Sequence, residues 1–529
     1  MPLPRRGDRP VAEPPGVLVN RVYMKGHIRT MTTAKKRLTH GPVLLCFLAI
    51  LGLCYTSVLL TPYGFTDDYA ILSERLQGQT WVMKQTMAAG RPMYAVLLSA
   101  TFSSIHAIGD LRYIRCAGVV GIAVLAWRIY RTLKLAGWRQ EQAFLLSLII
   151  VMMPAFQVYA AWATTAFYLG AALVASVAFT LAERACTASR APEQWRLAAG
   201  ASFLILVALT IHQSAAMFFW VFAAIVMFKP HTTPSDVVRR LVGYCCIVGV
   251  GLILGFGVYK LGMAFYGAPV PDIRAHLTLH VGEKALWFVQ SPLMDALNFT
   301  KLSPTPWLAL PAAIVIGAGF VHYLRGTAKE RLAQVLMAGV LLPLAYLPNL
   351  VIAENWSSYR TQAALTSVVV VYASYALWGY IQRFPRWATT AVLTAVLSLA
   401  ALATSLCASY NARVYFAEPQ LQELQVIRRQ LAQQPLSDIS NVYLIGSTGQ
   451  DTLAPLVRYD EFGLPSSVAL WSLKSSVYCV LAEMHLEAFY SFPTQVVPPH
   501  SLIQPPPGAL VVDMRRMASD STADQGIRP

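Results

Sequence analysis

Long apolar runs follow one another along most of this chain, and they constrain its fold more than any single motif. Each run has about twenty residues, the length that an α-helix needs to cross the hydrocarbon core of a bilayer. Hydrophobic residues make up 56% of the 529 residues, and charged residues only 13%. Soluble domains carry about 25% charged residues. The sequence therefore predicts an all-α polytopic membrane protein.

The apolar runs predict about eleven transmembrane helices. Their limits are near 41–61, 113–133, 143–158, 162–182, 197–212, 214–229, 241–265, 306–324, 332–352, 361–381 and 387–409. One more apolar run, at 92–108, is short, begins with Pro92 and contains serine, threonine and histidine. This composition predicts a helix that lies in, or dips into, the outer interface without crossing the bilayer.

The distribution of positive charge supports the same topology. The formal net charge is +16, and most basic residues fall in short gaps between apolar runs, which favours cytoplasmic loops and not nucleic-acid binding. The clearest basic segments are the amino-terminal tail, 128–139, 184–196, 229–240, 325–331 and 383–386. If 92–108 does not cross, all of them face the cytoplasm. The amino terminus is then cytoplasmic and the carboxyl terminus extracytoplasmic.

These assignments divide the chain into regions. Residues 1–40 form a basic cytoplasmic tail, and 41–409 form a transmembrane domain whose first long outer loop is 62–112. Residues 410–515 contain the strand-like stretches NVYLIG and GALVVDM, which predict a small α/β domain outside the cytoplasm. The final residues, 516–529, are polar and predicted to be disordered.

Two adjacent aspartates stand shortly after the first predicted membrane helix, in the stretch PYGFTDDYAILSERLQG at 62–78. Because like charges repel, either one carboxyl of the pair has a raised pKa, or Asp67 and Asp68 share a cation such as Mg²⁺ or Mn²⁺. A structural interpretation is equally open. Aspartate is a good amino-terminal cap, and a helix that starts near Tyr69 favours negative charge in its first turn.

Two arginines are predicted on the same side of the membrane. Arg91 lies in AAGRPMY, and Arg360 lies in AENWSSYRTQ, a short loop between two predicted spans. Guanidinium groups bind phosphate through charge-assisted hydrogen bonds, so both are candidate phosphate ligands. The structural alternatives are snorkelling of Arg91 to lipid headgroups and an ion pair of Arg360 with Glu354. The further basic residues predicted there, which would suit anionic headgroups, are Arg75, Lys84, Arg112 and Arg115.

Polar residues elsewhere on this side carry weaker signals. His212 and Gln213 lie at the end of the run 197–212, where polar groups usually face a cavity or bond to a neighbouring helix. His276 and His280 have the spacing of one helical turn. Further ligands for a zinc ion are absent nearby in the sequence, so the pair indicates a metal site only weakly.

In the order of these features the chain resembles the GT-C superfamily of membrane glycosyltransferases. There a first span is followed by an outward acidic pair, an interfacial helix, further spans and an outer carboxyl-terminal domain. The stretches TDDYAIL, GRPMYAVL, IHQSA, NWSSYRT and YDEFGLPSS look more narrowly like the bacterial O-antigen glucosyltransferases of serotype conversion. The likeness extends over residues 41–470. The chain has Arg91-Pro92 where the superfamily often has a tryptophan-containing or Lys-Pro motif.

The resemblance implies an inverting transferase that uses a polyprenyl-phosphate sugar. Asp67 or Asp68 would take the proton from an acceptor hydroxyl, and Arg91 and Arg360 would bind the donor phosphate. Supporting roles would fall to Tyr69, Glu354, His212 and Gln213. The sugar would be a hexose such as glucose and the acceptor a glycan such as the O-antigen of lipopolysaccharide, at the outer face of the cytoplasmic membrane. A divalent cation that bridges the aspartates and the phosphate stays open, and no cofactor is certain.

Two other functions stay open at this point. A transporter or flippase of lipid-linked sugars would carry charged groups deep within its spans and would show internal repeats. Here the charges concentrate at the outer edge of the membrane region, and no repeat is evident. A non-catalytic subunit of polysaccharide assembly would keep the same fold and topology, because an acidic pair can lose activity without any loss of structure.

Overall fold

The structure is a computed structural model that describes residues 40–229, 233–267, 276–299, 306–435, 439–457, 461–501 and 503–517. The predicted basic tail, apart from residue 40, and the predicted disordered end, from residue 518 onward, lie outside the described residues. The chain divides into two compact units, Met1–Cys46 and Phe47–Pro529. The described part of the first unit is the beginning of one helix, and the other helices and the sheet belong to the second unit.

The helices of the amino-terminal half follow the predicted apolar runs. They are α1 (His40–Cys54), α2 (Thr56–Leu60), α3 (Asp67–Leu76), α4 (Trp81–Ala88), α5 (Pro92–Phe102), α6 (Leu111–Leu135), α7 (Gln140–Val151), α8 (Pro154–Ala161), α9 (Tyr168–Thr187), α10 (Ala191–Ile211), α11 (Gln213–Ala216), α12 (Phe219–Met227) and α13 (Pro234–Tyr266). Helix α5, the predicted interfacial segment, has 11 residues. It is about 16 Å long and too short to cross a bilayer.

The carboxyl-terminal half continues with helices and ends in a small sheet. The helices are α14 (Val281–Phe288), α15 (Met294–Leu297), α16 (Ala309–Tyr323), α17 (Ala328–Leu344), α18 (Leu347–Val351), α19 (Ala363–Ile381), α20 (Arg386–Asn411), α21 (Glu418–Ala432) and α22 (Leu470–Glu483). A π-helical turn, Ala412–Ala417, joins α20 to α21. Helical backbone therefore continues from the last predicted span into the carboxyl-terminal region.

Five helices among the described residues are long and apolar enough to cross a membrane, and they indicate a multi-pass membrane protein. They are Thr164–Thr187, Ala191–Ile211, Pro234–Tyr266, Ala363–Ile381 and Trp387–Ala432. Helices α7 and α8 pass the same test only as a pair, which is bent by 65°. Several other predicted spans are occupied by shorter apolar helices, such as Ala309–Tyr323. The predicted total of about eleven crossings is therefore not confirmed.

The bend between α7 and α8 corrects the prediction of a single helix at 143–158. Proline lacks the backbone N–H that an interior helical position donates, so the chain restarts its helix at Pro154. A 3-10 turn, Thr164–Phe167, follows α8. All residues from 154 to 166 are buried. Irregular backbone in a buried position must find hydrogen-bond partners for its N–H groups.

A buried arginine holds the chain where it leaves α2. The Arg115 guanidinium of α6 donates from Nε to the Val58 carbonyl (2.7 Å), from Nη2 to that of Thr61 (2.9 Å) and from Nη1 to that of Tyr63 (2.8 Å). It also lies 4.1 Å from the centroid of the Tyr63 ring, and Arg115 is completely buried. The expectation that it meets lipid headgroups is wrong. Arg115 caps the carbonyl end of a helix and fixes the start of the next loop.

The carboxyl-terminal sheet is parallel, with strand order β2-β1-β3. The strands are β1 (Asn441–Ile445), β2 (Thr494–Val497) and β3 (Ala509–Asp513). Two glutamines, Gln430 of α21 and Gln434 just after the end of that helix, cover the outer edge of β3. Gln430 accepts from the Asp513 N–H and donates to its carbonyl, both at 2.8 Å. Gln434 makes the same pair of bonds with Val511. The glutamine amides replace a neighbouring strand at this edge.

Two glycines allow α16 and α19 to pack closely. A Cβ added at Gly319 would lie 2.7 Å from the Ala376 carbonyl oxygen, and one added at Gly379 would lie 2.2 Å from the Gly319 carbonyl oxygen. Small residues at such a crossing allow the two helix backbones to approach each other, which is a common means of association within membranes. Gly317, on the same helix, has no atom within 4 Å of its Cβ position.

We predict that Gly319→Ala lowers the free energy of unfolding by about 1–3 kcal/mol, because the added methyl group overpacks the crossing. Thermal unfolding of the purified protein in detergent would measure the effect. Gly317→Ala is the matched control and should leave the melting temperature unchanged. Equal melting temperatures for the two variants would contradict the proposed close contact.

Candidate active site

The loop between α2 and α3 brings the acidic pair to a fixed position. The Gly64 N–H donates to the Tyr69 hydroxyl at 3.1 Å, and a Cβ at Gly64 would lie 2.8 Å from the Tyr69 ring. Thr66 has a φ of 37°, a conformation that costs free energy for a β-branched residue. Helix α3 then starts at Asp67, two residues earlier than predicted. Tyr69 is thus a buried support of the turn.

Asp68 is completely buried and bonded to two separate parts of the chain. Its Oδ1 accepts from the Thr164 N–H at 2.8 Å, and its Oδ2 accepts from the N–H groups of Phe65 (3.0 Å) and Ala163 (3.3 Å). Burial raises the pKa of Asp68 to about 7, against the opposing effect of its hydrogen bonds. Of the alternatives for the acidic pair, a raised pKa of one carboxyl therefore applies to Asp68, which is buried and is not a solvated helix cap.

Asp67 has a different environment from its neighbour. It is partly exposed at the first residue of α3, and both Asp67 and Arg91 act electrostatically on Tyr94. The Tyr94 hydroxyl donates to the Thr164 carbonyl at 3.3 Å. Asp67 is therefore the carboxylate of the pair that is accessible to a ligand, and Asp68 anchors the helix that presents it.

Arg91 is placed by the residues on either side of it. Gly90 has a φ of 73°, and a Cβ there would lie 2.8 Å from Tyr259, so this position requires glycine. Pro92 occupies the first turn of α5, where a missing N–H has no cost. The Arg91 Nε donates to Gln213 Oε1 at 2.9 Å. The structure thus brings together two of the predicted site residues, Arg91 and Gln213.

His212 is held by an aromatic ring and by a backbone N–H group. Its ring stacks on Tyr168 with a centroid distance of 3.6 Å, and its Nδ1 accepts from the Ala215 N–H at 3.2 Å, which assigns the proton of the neutral ring to Nε2. Arg91 and Arg360 both act electrostatically on this ring. His212, Arg91 and Arg360 therefore belong to one site.

Arg360 lies between aromatic rings and a carboxylate. Its guanidinium carbon is 4.7 Å from the centroid of the Trp162 ring and 5.6 Å from that of Trp356. Its Nε is 3.8 Å from Oε1 of Glu461. The structure shows Glu461 of the carboxyl-terminal region beside this guanidinium, and the pairing of Arg360 with Glu354 considered from the sequence stays a prediction. Because Trp162 also packs edge-on against Phe65 at 4.8 Å, one indole ring connects the Arg360 loop with the aspartate loop.

Glu354 contributes to the site through its backbone. Its carbonyl accepts from Lys284 Nζ at 2.6 Å, and the same ammonium group donates to Asn355 Oδ1 at 2.7 Å. Burial lowers the pKa of Lys284 to about 8. The Ala353 N–H also donates to the His276 carbonyl at 2.7 Å. These contacts fasten the loop that carries Arg360 to the segment 276–284.

Comparison with known proteins then identifies the family. The model of the glucosyl transferase GtrII family matches residues 56–377, which include the acidic pair, Arg91, His212 and Arg360. The chain belongs to the GtrII family of glucosyl transferases. The O-antigen glucosyltransferase resemblance drawn from the sequence motifs is thereby confirmed, and membership supports a glycosyltransferase activity.

Other comparisons add little to the GtrII assignment. A comparison with curated proteins gave no match. Among solved structures the chain is similar to an oligosaccharyltransferase of Archaeoglobus fulgidus, in complex with zinc and sulfate, with 12% sequence identity and a TM-score of 0.40. That alignment covers 76% of this chain and 60% of the oligosaccharyltransferase chain. The assignment to the wider GT-C superfamily stays a prediction.

Sequence reasoning missed several residues of this GtrII site. Trp162, Ala163 and Thr164 were placed at the start of an ordinary span, and only the proline at 154 signalled a break. Glu461 lies within YDEFGLPSS, one of the stretches that carry the family resemblance, and its neighbour Asp460 lies outside the described residues. In the structure Glu461 is completely buried. The available signal for this part of the site was the stretch Trp-Ala-Thr-Thr at 162–165, which interrupts an apolar run with polar groups.

We predict that the free energy of unfolding falls as pH rises from about 4 to 7. Because the pKa of Asp68 is higher in the folded state than in the unfolded state, the folded state binds the Asp68 proton more tightly. Above about pH 7 this contribution is lost and the slope ends. Melting temperatures across this range would show the slope in the wild type. Asp68→Asn should flatten it, whereas Asp67→Asn should leave it in place. An unchanged slope in Asp68→Asn would contradict the assignment.

Proposed function

We propose that this protein transfers a sugar, in the first instance a hexose such as glucose, from a polyprenyl-phosphate donor to a cell-surface glycan such as O-antigen. The reaction would take place at the outer face of the cytoplasmic membrane. One observation carries the proposal: Asp67, a partly exposed carboxylate, and the Arg91 guanidinium both act electrostatically on the buried ring of Tyr94. That ring packs against Tyr168, which stacks on His212, and both Arg91 and Arg360 act electrostatically on His212. Acid–base chemistry and the binding of an anionic leaving group both need such groups.

Asp67 is the proposed general base. It would accept the proton of an acceptor hydroxyl as the oxygen attacks the anomeric carbon of the donor, while the bond from that carbon to the phosphate oxygen breaks. A single displacement of this kind inverts the anomeric centre. A carboxylate also stabilises positive charge that develops at the anomeric carbon. Asp68 would act indirectly, because its oxygens are occupied by backbone N–H groups.

The two arginines are the proposed ligands of the donor phosphate. A polyprenyl phosphate leaves as an anion, so the enzyme needs fixed positive charge at the leaving group more than a proton donor. Gln213 orients Arg91 through its Nε, and Trp162 supports the plane of Arg360. Groups held in this way lose little conformational freedom when they bind phosphate.

Buried donors around Asp68 support a ligand site in the same place. Thr66 Oγ1, Trp162 Nε1 and Thr164 Oγ1 are buried and have no hydrogen-bond partner among the described residues. Each such group costs free energy, and native proteins contain few of them without a reason. A hydroxyl-rich ligand such as a sugar would offer partners to groups of this type. The cluster therefore agrees with a site that binds sugar beside Asp67.

The described residues fit a divalent cation at the aspartate pair poorly. The N–H groups of Phe65, Ala163 and Thr164 donate to both Asp68 oxygens. A cation would have to compete with these N–H groups for the same oxygens. Three or more His, Cys, Asp or Glu residues that could together hold a metal do not occur within the described ranges. The mechanism proposed here routes no step through a cation.

We predict that Asp67→Asn lowers kcat by about 10²- to 10⁴-fold, the usual effect of losing a general base. Arg91→Gln and Arg360→Gln should mainly raise KM for the donor. Transfer of radiolabelled glucose from polyprenyl-phosphate glucose to O-antigen, by purified protein in lipid nanodiscs, would measure both effects. Arg112→Gln is the matched control, because Arg112 is fully exposed on the same predicted face. Wild-type transfer by well-folded Asp67→Asn would overturn the assignment of the base.

A further inference from the structure

The Glu461 carboxylate contacts the Arg360 turn at three points. Its Oε2 accepts from the Tyr359 N–H at 2.9 Å, and its Oε1 accepts from the Arg360 N–H at 3.3 Å. The same Oε1 lies 3.8 Å from Nε of the Arg360 guanidinium. Because Glu461 is completely buried, these contacts compensate the cost of placing a charge inside the protein.

The residues after Glu461 extend the same contact surface. The Phe462 ring packs edge-on against Tyr359 at 4.7 Å and against Phe416 at 5.0 Å. Phe416 in turn packs against Phe65 at 5.8 Å, next to the strained residue Thr66. Phe462 therefore contacts the turn with Arg360 directly, and it reaches the loop with the aspartates through Phe416.

Ser466 completes the connection to the aspartate loop. Its hydroxyl oxygen accepts from the Thr66 N–H at 3.0 Å and donates to Gln420 at 2.7 Å. The buried carboxylate of Glu423 accepts from the N–H groups of Ser466 (2.9 Å) and Ser467 (2.7 Å). The strained backbone at Thr66 is thus held by a serine that α21 itself fixes in place.

We propose that Glu461 is a positioning residue for the donor phosphate site. It would fix the Nε side of the Arg360 guanidinium against the Trp162 ring and so direct the group at the phosphate. The segment 461–467 would then set the distance between Arg360 and Asp67, since it contacts both loops. This inference rests on the proposed function. It gives the carboxyl-terminal region a part in assembling the active site.

A purely structural role for Glu461 makes different predictions. Loss of a buried, hydrogen-bonded carboxylate would then reduce the amount of folded protein and its melting temperature, while the folded fraction kept its normal kinetic constants. A positioning role changes the kinetic constants of protein that is folded. It also requires the effect to disappear once Arg360 is gone, because Glu461 would act through that side chain.

The test compares Glu461→Gln, Arg360→Gln and the double variant in the glucose-transfer assay, with polyprenyl-phosphate glucose as the donor. We expect Glu461→Gln to raise the donor KM about tenfold, because the neutral amide no longer attracts the Arg360 guanidinium and so no longer fixes its position. The change in kcat should be smaller. In the Arg360→Gln background the second substitution should have no further effect on KM. Glu461→Asp, which keeps the charge, should recover part of the loss.

Glu483→Gln is the matched control. Glu483 also forms an ion pair with an arginine of the carboxyl-terminal region, Arg428 at 2.6 Å, but that arginine is not part of the proposed site. The control should keep the wild-type donor KM. The inference would be overturned if Glu461→Gln kept the wild-type donor KM. It would also be overturned if the double variant showed the product of the two single effects on KM. If Arg360→Gln itself kept wild-type kinetics, the proposed phosphate site would fail instead.

Discussion

The whole site depends on one buried carboxylate. Asp68 joins the turn before α3 to the irregular segment after α8, because its two oxygens accept N–H groups from both. The segment after α8 has backbone N–H groups that would be unpaired in the protein interior without Asp68. The Asp68 carboxylate in turn could not be buried without hydrogen bonds from those N–H groups. Trp162 and Tyr94 then fall into place beside Asp67.

Around this anchor the chain assembles the site from parts that are distant in sequence. The aspartate turn comes from the loop after α2, Arg91 from the start of α5, His212 from the junction of α10 and α11, and Arg360 from the turn before α19. Aromatic rings fill the space between them, with Tyr168 against His212 and Trp162 under Arg360. Rings hold charged groups in a defined plane at a small cost in entropy.

Sequence patterns predicted the helical membrane class and a short apolar helix at α5, whereas the non-crossing of α5 and the site roles of the polar residues stay predictions. These features depend on hydrophobicity and on local turn chemistry, which a single chain displays. The different environments of Asp67 and Asp68 could not be predicted from the sequence, because the two residues are identical and adjacent. Only the fold shows that Asp68 is the one that accepts hydrogen bonds from the N–H groups of residues 163 and 164. The partner of Arg360 was hidden for the same reason, since Glu461 lies about a hundred positions away.

The helical stretch from Trp387 to Ala432, which includes α20, the π-helical turn and α21, has 46 residues and is therefore about 70 Å long. A bilayer core accounts for only about 30 Å of that length. The remainder must stand outside the hydrocarbon region, with Gln430 and Gln434 fastened to strand β3 near its far end. The helix therefore connects the membrane to the sheet over a fixed length. Its length limits how far the sheet can lie from the membrane surface, and the π-helical turn at 412–417 is the point along it where the hydrogen bonding departs from the α-helical pattern.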